Sequence, residues 1–267
     1  MLWPLVACLL LPTLLVYLGL HVVRREVIFV DLALAQVATI GTCVAILNHF
    51  DPHAWQSYVM SVGFTFVGAA LFTLTRRKKN QHVPQEALIG IIYVVAAAGA
   101  ILLLSDSPHG NEELKETLVG DLLYLQSPMQ VFKPAAIYVI IAIVHFIFRK
   151  KFMAISFEPE RAVAEKISVR WWDFLFYALF GLVVTTFVHI GGVLLVFSYL
   201  VIPAVCAGFL ARKLRTMLFI GWGISALGSV LGLYCSLQFD WPTGPAVICA
   251  LGILLLITGI ASKFTKN

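Results

Sequence analysis

Nine apolar runs divide this 267-residue chain, at roughly 2–23, 27–48, 55–75, 86–105, 131–148, 171–188, 192–210, 217–236 and 243–261. Each is close to the ~20 residues that an α-helix needs to cross the hydrocarbon of a bilayer. Each is apolar around its whole circumference, as a helix set among lipid and other helices must be. Backbone inside lipid has to satisfy its own hydrogen bonds, so such runs demand helices and exclude open sheets. Composition agrees: 60% of residues are hydrophobic and 12% charged, where a soluble domain carries about a quarter charged. The expectation is an all-α polytopic membrane protein, a single transmembrane domain over 1–267 with no soluble domain. The first run, with "LVAC" ending at Cys8, imitates a signal or lipoprotein sequence. No Lys or Arg precedes it, and it is too long for a signal core, so it reads as the first span.

Basic residues give the orientation. If the runs alternate, all but two of the 19 lysines and arginines fall on one side, the exceptions being Lys115 and Lys133. The positive-inside rule makes the rich side the cytoplasm, with the N-terminus outside and the C-terminus inside. One misplaced span would scramble the bias. The same asymmetry accounts for the net charge of +5, and nucleic acid is not needed as a partner. On the other side stand Asp51, Asp106, Glu112, Glu113, Glu116, Asp121 and Asp240. An acidic mouth concentrates cations, although a dearth of basic residues leaves the same signature. The cysteines, Cys8, Cys43, Cys206, Cys235 and Cys249, all lie in apolar runs and read as free thiols. Trp55, Trp171, Trp172 and Trp241 mark span ends, and small residues at 68–70, 96–100 and 221–232 suit close helix packing.

Several chemistries are absent. There is no Walker A sequence, no H-E-x-x-H and no G-x-S-x-G, so the chain lacks those routes to ATP binding, metalloproteolysis and serine hydrolysis. A pore, a carrier or a subunit energised by a partner remains. Four stretches then combine: "RREVIFVDLALAQ" (24–36), "FEPERAVAEKISVRWWD" (157–173), "GGVLLVFSYLVIPAVCAGFLARKLRTM" (191–217) and "FDWPTGPAVI" (239–248). In this order and spacing the chain resembles the membrane permeases of ATP-binding-cassette importers for zinc, manganese or iron(II). The resemblance runs through nearly the whole chain. It implies a type II ABC importer-like permease fold in a bacterial cytoplasmic membrane, working as a homodimer embedded in lipid. It also implies a cytoplasmic ATPase subunit that holds the ATP, an extracytoplasmic metal-binding protein, and a divalent metal as cargo with no permanent cofactor. Two other readings stay open: the same scaffold with a non-metal or chelated substrate, and a stand-alone carrier or channel.

The inner loop, about 152–170, carries Phe157, Glu158, Pro159, Glu160, Arg161 and Ala162. Pro159 can open a short helix there, too charged to lie in lipid. By resemblance it is the coupling helix that docks in the ATPase; the family usually has glycine where Lys166 stands. Read without the resemblance, it is a solvated connector. Pro203 should kink the seventh span. Pro242, Thr243, Gly244 and Pro245 suit a helix start.

The resemblance also sets an expectation for the second span. Importers of this type carry "G-D-x-L-x-H-A", an aspartate and a histidine at i, i+4, which share a helix face and can grip one ion. Counted from Arg25, Asp31 takes the aspartate position and Ala35 the histidine position; counted back from Gly41, Gln36 takes the histidine position. One inserted residue would reconcile the two, but no register holds a histidine. Asp31 is a pathway candidate because intramembrane carboxylates are functional by default, and it could instead pair with an arginine. A replacement site could come from His49, Asp51 and His53 at the outer end of the second span, or from His189 between spans six and seven. His109 lies in the outer loop, about 106–130; His145 reads as deep in lipid, and His21 and His82 as interface residues.

Overall fold

The computed structural model describes residues 2–52, 54–76, 83–105, 118–120, 122 and 127–265, without the side chains of Leu2, His189 and Thr265. Ten helices follow in chain order among these residues: α1 (Leu2–Arg24), α2 (Val30–Leu47), α3 (Trp55–Leu74), α4 (Gln85–Leu104), α5 (Pro128–Ile147), α6 (Arg149–Phe157), α7 (Pro159–Ala164), α8 (Val169–Leu210), α9 (Leu214–Phe239) and α10 (Thr243–Thr265). Nine segments of them are long and apolar enough to cross a membrane, with α8 contributing two, Val169–Val188 and Ile190–Leu210.

The spans fall where the apolar runs put them, with three physical refinements. α2 begins at Val30, not near 27, because Glu26 takes a left-handed φ of 57° and turns the chain first. The sixth and seventh spans form one helix interrupted at Gly192, where φ is 72° and ψ 161°. A Cβ on Gly192 would lie 2.4 Å from the backbone nitrogen of Gly120, so the crossing of these two backbone segments requires glycine. Pro203 lies inside this helix, and the one residue of the helix with non-helical dihedrals is Gly192. A proline loses one hydrogen bond but holds a φ that a helix accepts. The third refinement is α6, which fills what the sequence offered only as connector. It buries Phe152, Ala154, Ile155 and Ser156 and leaves Arg149 and Lys150 exposed.

Contacts group the chain into two compact units, each built from separate stretches: residues 1–23, 118–139 and 187–267, and residues 24–117 and 140–186. In the first unit, the buried Tyr199 hydroxyl bonds Ser229 Oγ at 2.6 Å, and Ser229 Oγ donates to the Cys8 carbonyl at 3.1 Å. Trp222 Nε1 donates to the Thr13 carbonyl at 3.0 Å. Polar side chains inside apolar helices are thus tied to neighbouring backbones. His21, expected at the interface, is fully buried, edge-on to Tyr17 at 4.7 Å. His82 lies outside the described residues. The turn into α10 is held by Ser236, whose Oγ donates to the Trp241 carbonyl at 2.7 Å and bonds Thr243 Oγ1 at 3.0 Å. Pro242 precedes the helix and Pro245 sits in its first turn, where a missing N–H is not needed.

In the second unit α2 is the central helix, buried over most of its circumference and packed on α3 and α4. Gly41 lets α3 come close: a Cβ there would stand 2.7 Å from Ser61 Cα, and Ser61 Oγ donates to the Ala38 carbonyl at 3.0 Å. Thr65 and Thr185 join α3 to α8 with their hydroxyls 2.8 Å apart. His145 is buried, its ring stacked on Phe152 at 4.5 Å.

Candidate functional site

α2 is a regular helix from Val30 to Leu47. No inserted residue brings Asp31 and Gln36 onto one face, and at i, i+5 their side chains diverge by about 140°. Both are buried, Asp31 to 2% exposure and Gln36 to 6%. They do not form the Asp–His grip of the resemblance in another guise. Asp31 Oδ1 is buried and has no hydrogen-bond partner among the described residues.

The arginine that could have paired with Asp31 is engaged elsewhere. Arg25 Nη1 donates to Asp173 Oδ1 at 3.0 Å and Nε donates to Ser156 Oγ at 2.7 Å. Its guanidinium also lies over the Phe176 ring, 3.9 Å from the centroid. Arg76 bonds the other oxygen of Asp173. Burial, and then the neighbouring Arg25, pull the Arg76 pKa below its usual value, but a guanidinium stays charged in proteins. Asp173 is 1% exposed, so one buried carboxylate joins the segment ahead of α2, the end of α3 and the start of α8, with Ser156 bringing in α6. Beside it is a cavity of ≈ 250 Å³ whose lining includes Arg24, Gln85, Tyr177 and Pro159. Sequence reasoning passed over Asp173. The available signal was a carboxylate set inside an apolar run, in "WWDFLF".

The segment expected to couple to an ATPase is α7, with Pro159 at its first position. Its end is a Schellman motif. The Lys166 N–H bonds the Val163 carbonyl at 3.0 Å, and the Ile167 N–H bonds the Ala162 carbonyl at 3.0 Å. Lys166 has a φ of 50°, the left-handed conformation for which glycine is the usual residue. Ala162 and Ile167 pack with Ala154 and Ile155, anchoring α7 on α6. Glu158, Pro159, Glu160, Arg161 and Val163 are exposed. Arg161 bridges Glu158 at 3.0 Å and Glu165 at 2.7 Å. The Arg161 hydrogen bond holds the Glu165 pKa below its ordinary value, and Glu165 in turn raises that of Arg161. Phe157 lies under Arg24, whose guanidinium is 5.8 Å from the ring centroid.

At the outer end of α2, His49 and Asp51 are exposed, and His49 has a left-handed φ of 62°. His53, His109 and the acidic residues 106–117 and 121 lie outside the described residues. The backbone at His189 is helical. Among the described residues no group of three or more His, Cys, Asp or Glu side chains is placed to hold a metal ion.

Comparison with known proteins gives this arrangement its context. The chain is 28% identical to the manganese transport system membrane protein MntC of Listeria innocua, over 80% of this chain and 77% of that protein. It is 27% identical to the manganese import system permease protein ScaB of Streptococcus gordonii, over 80% and 78%. A probable metal transport system membrane protein of Chlamydia pneumoniae is 25% identical over 92% and 86%. Among solved structures, PsaBC from Streptococcus pneumoniae in complex with Fab superposes with a TM-score of 0.79 at 23% identity, covering 96% of this chain and 89% of that one. An inward-facing metal-chelate type ABC transporter gives 0.71 at 16% identity, covering 97% and 85%. These likenesses show a shared fold. With the family's pattern matching residues 1–262, the chain belongs to the ABC 3 transport family.

Proposed function

We propose that this chain is the membrane permease subunit of a bacterial importer for divalent metal cations, with manganese foremost. A separate ATPase supplies the energy and an extracytoplasmic binding protein delivers the ion. The chain works as a homodimer in the cytoplasmic membrane, N-terminus outside and C-terminus inside, and performs no covalent chemistry itself. The observation that carries the reading is Asp31: a carboxylate buried in a spanning helix, in a chain of this family, with one oxygen unpartnered among the described residues. Burying such a group without compensation is costly, and it is kept where an ion needs it. The manganese names of the relatives support the cargo.

Energy reaches α2 by a continuous route. The ATPase closes on α7; Ala162 carries the movement into α6, and Ser156 passes it to Arg25 at the entrance of α2. Asp173 keeps that arginine charged, oriented and in place. The test is reconstitution. An affinity-tagged chain should bring down an ATPase subunit, and vesicles holding both, supplied with the binding protein, should take up Mn²⁺ in an ATP-dependent way. Uptake that ignores ATP sinks the importer reading; no uptake of Mn²⁺, Zn²⁺ or Fe²⁺ sinks the metal one.

A further inference from the structure

Three arginines, Arg24, Arg25 and Arg76, line the cavity of ≈ 250 Å³ beside Asp173, and Asp173 is the one acid among its lining residues. Arg25 and Arg76 share that single carboxylate. Arg24 lies over the Phe157 ring, and no salt bridge joins it to a carboxylate among the described residues. The wall thus carries two positive charges in excess. Like charges held together in a partly buried wall repel, and a counter-ion relieves them. The donors are also presented in an ordered way. Arg25 is fixed by Asp173 and by Ser156 Oγ, with its side chain 7% exposed. Arg76 bonds Asp173 through Nη1 and keeps its side chain 32% exposed. The Tyr177 hydroxyl accepts from Gln85 Nε2 at 3.5 Å, so its own hydrogen can be donated. Arg24 and Pro159 are exposed, and the cavity opens on their side. Its depth follows from the helices: Arg24 closes α1, Arg76 follows α3, Gln85 opens α4 and Asp173 lies near the start of α8. Leu74, Val83 and Trp171, each two residues from a lining residue, are exposed apolar side chains at this level.

We propose that this cavity binds a phosphate group, with Arg24 and Arg76 gripping its oxygens and Arg25 held beside them as fixed positive charge. Planar guanidinium forks match phosphate oxygens two at a time. Two sources carry that chemistry to this depth, the headgroup of an anionic lipid and free inorganic phosphate. The position favours the lipid. Basic pockets between spanning helices at the inner surface hold anionic headgroups, and the exposed apolar residues at the same level leave room for acyl chains. Size agrees: the cavity is smaller than the ~300–1,000 Å³ of sites that enclose a drug-sized ligand, which suits a headgroup and not a nucleotide. A phosphate bridging Arg24 and Arg76 ties the end of α1 to the end of α3, beside the Arg25–Ser156 bond that joins α6 to the entrance of α2. The anion content of the membrane then sets how firmly that junction is held. The orientation proposed above enters only in saying which leaflet supplies the lipid.

The test uses the full complex, permease with its ATPase, stripped of lipid in detergent. Native mass spectrometry follows the binding of added phosphatidylglycerol, with zwitterionic phosphatidylcholine for comparison. Melting temperature is followed separately as inorganic phosphate, or chloride at equal ionic strength, is added. The expected result is preferential binding of phosphatidylglycerol. Arg24→Gln should weaken it by about fivefold, or ~1 kcal/mol, the contribution of one basic residue. A lipid-free melting temperature near that of the wild type verifies its fold. Arg76→Lys keeps a charge opposite Asp173 but loses the fork, and should weaken binding independently. Arg149→Gln removes an exposed arginine outside the cavity and should leave binding unchanged. If inorganic phosphate raises the melting temperature of the wild type but not of Arg24→Gln, while phosphatidylglycerol binds no better than phosphatidylcholine, the cavity takes free phosphate. Binding of neither probe overturns the proposal. An equal loss in Arg24→Gln and Arg149→Gln also overturns it, because diffuse surface charge then suffices. Binding to the permease alone that vanishes once the ATPase is docked overturns it as well, since the arginines then serve the protein interface.

Discussion

Asp173 and Asp31 are both buried carboxylates of the second unit, exposed to 1% and 2%, yet they live in opposite circumstances. Asp173 has an arginine on each oxygen. Asp31 has one oxygen that bonds none of the described residues. The first arrangement ties helices together; the second leaves a buried oxygen without a bond to any described residue. Burial alone does not tell such groups apart. What surrounds the charge decides whether it serves stability or transport.

The two should therefore respond oppositely to losing their charge. Asp173→Asn leaves Arg25 buried and Arg76 half-buried beside a neutral group. Breaking a buried pair in this way costs about 3–5 kcal/mol. We expect a sharply lower melting temperature in detergent and poor recovery of folded protein. Replacing Asp173 and Arg25 together by Leu and Met should recover part of the loss, since removing a whole pair is tolerated better than removing half. Asp31→Asn removes an uncompensated charge, so its melting temperature should stay level or rise while ATP-driven Mn²⁺ uptake falls by about tenfold or more, ~1.4 kcal/mol. A destabilised Asp31→Asn with normal uptake would exchange the two roles.

This contrast also marks what the sequence could convey. The spans were legible because hydrophobic length is a one-dimensional property, and a run such as 243–261 needs no partner to be recognised. The short helix α7 was legible from Pro159 and its charges. Gly192 gave no such signal: its role depends on the passage of Gly120, 72 residues earlier in the chain. Glu86 and Asp173 drew no reading of their own from the sequence. Their meaning lies in Phe29, Arg25 and Arg76, which the fold brings to them. Asp31 was noticed at once, but its state could be read only after Arg25 was found bonded elsewhere.

Between the outright effects at Asp173 and Asp31 lies the junction that joins them, and smaller changes there tune the comparison. Lys166 holds a left-handed conformation that costs a side-chain-bearing residue about 1–2 kcal/mol. Lys166→Gly should relieve most of this without touching the Ile167–Ala162 bond. The expected gain of ~1 kcal/mol corresponds to a rise of about 2–4 °C in melting temperature for a chain of this size. Uptake at saturating ATP should be unchanged, because the anchor of α7 on α6 is the same. A fall in melting temperature would show that Lys166 makes a contact worth more than its strain.

The smallest effect concerns the exposed face of α7, where Arg161 bridges Glu158 and Glu165. Glu165 titrates below its usual range because Arg161 binds its charged form. A carboxyl whose folded pKa is depressed contributes its stabilisation above the unfolded value and loses it as pH falls through the folded one. The helix should therefore be at full strength at neutral pH and loosen only below the ordinary glutamate range, with no change between pH 6 and 8. Amide hydrogen exchange at residues 161–165 reads this directly. Being solvent-exposed, the bridge should also weaken in high salt, and Glu165→Gln should remove both the acid and the salt dependence. Asp173 is buried, so added salt should leave exchange at residues 173–177 untouched until the protein unfolds. If exchange rises at both places together, α7 and the Asp173 hub open as one unit, and the anchor at Ala162 transmits more than the packing on α6 suggests.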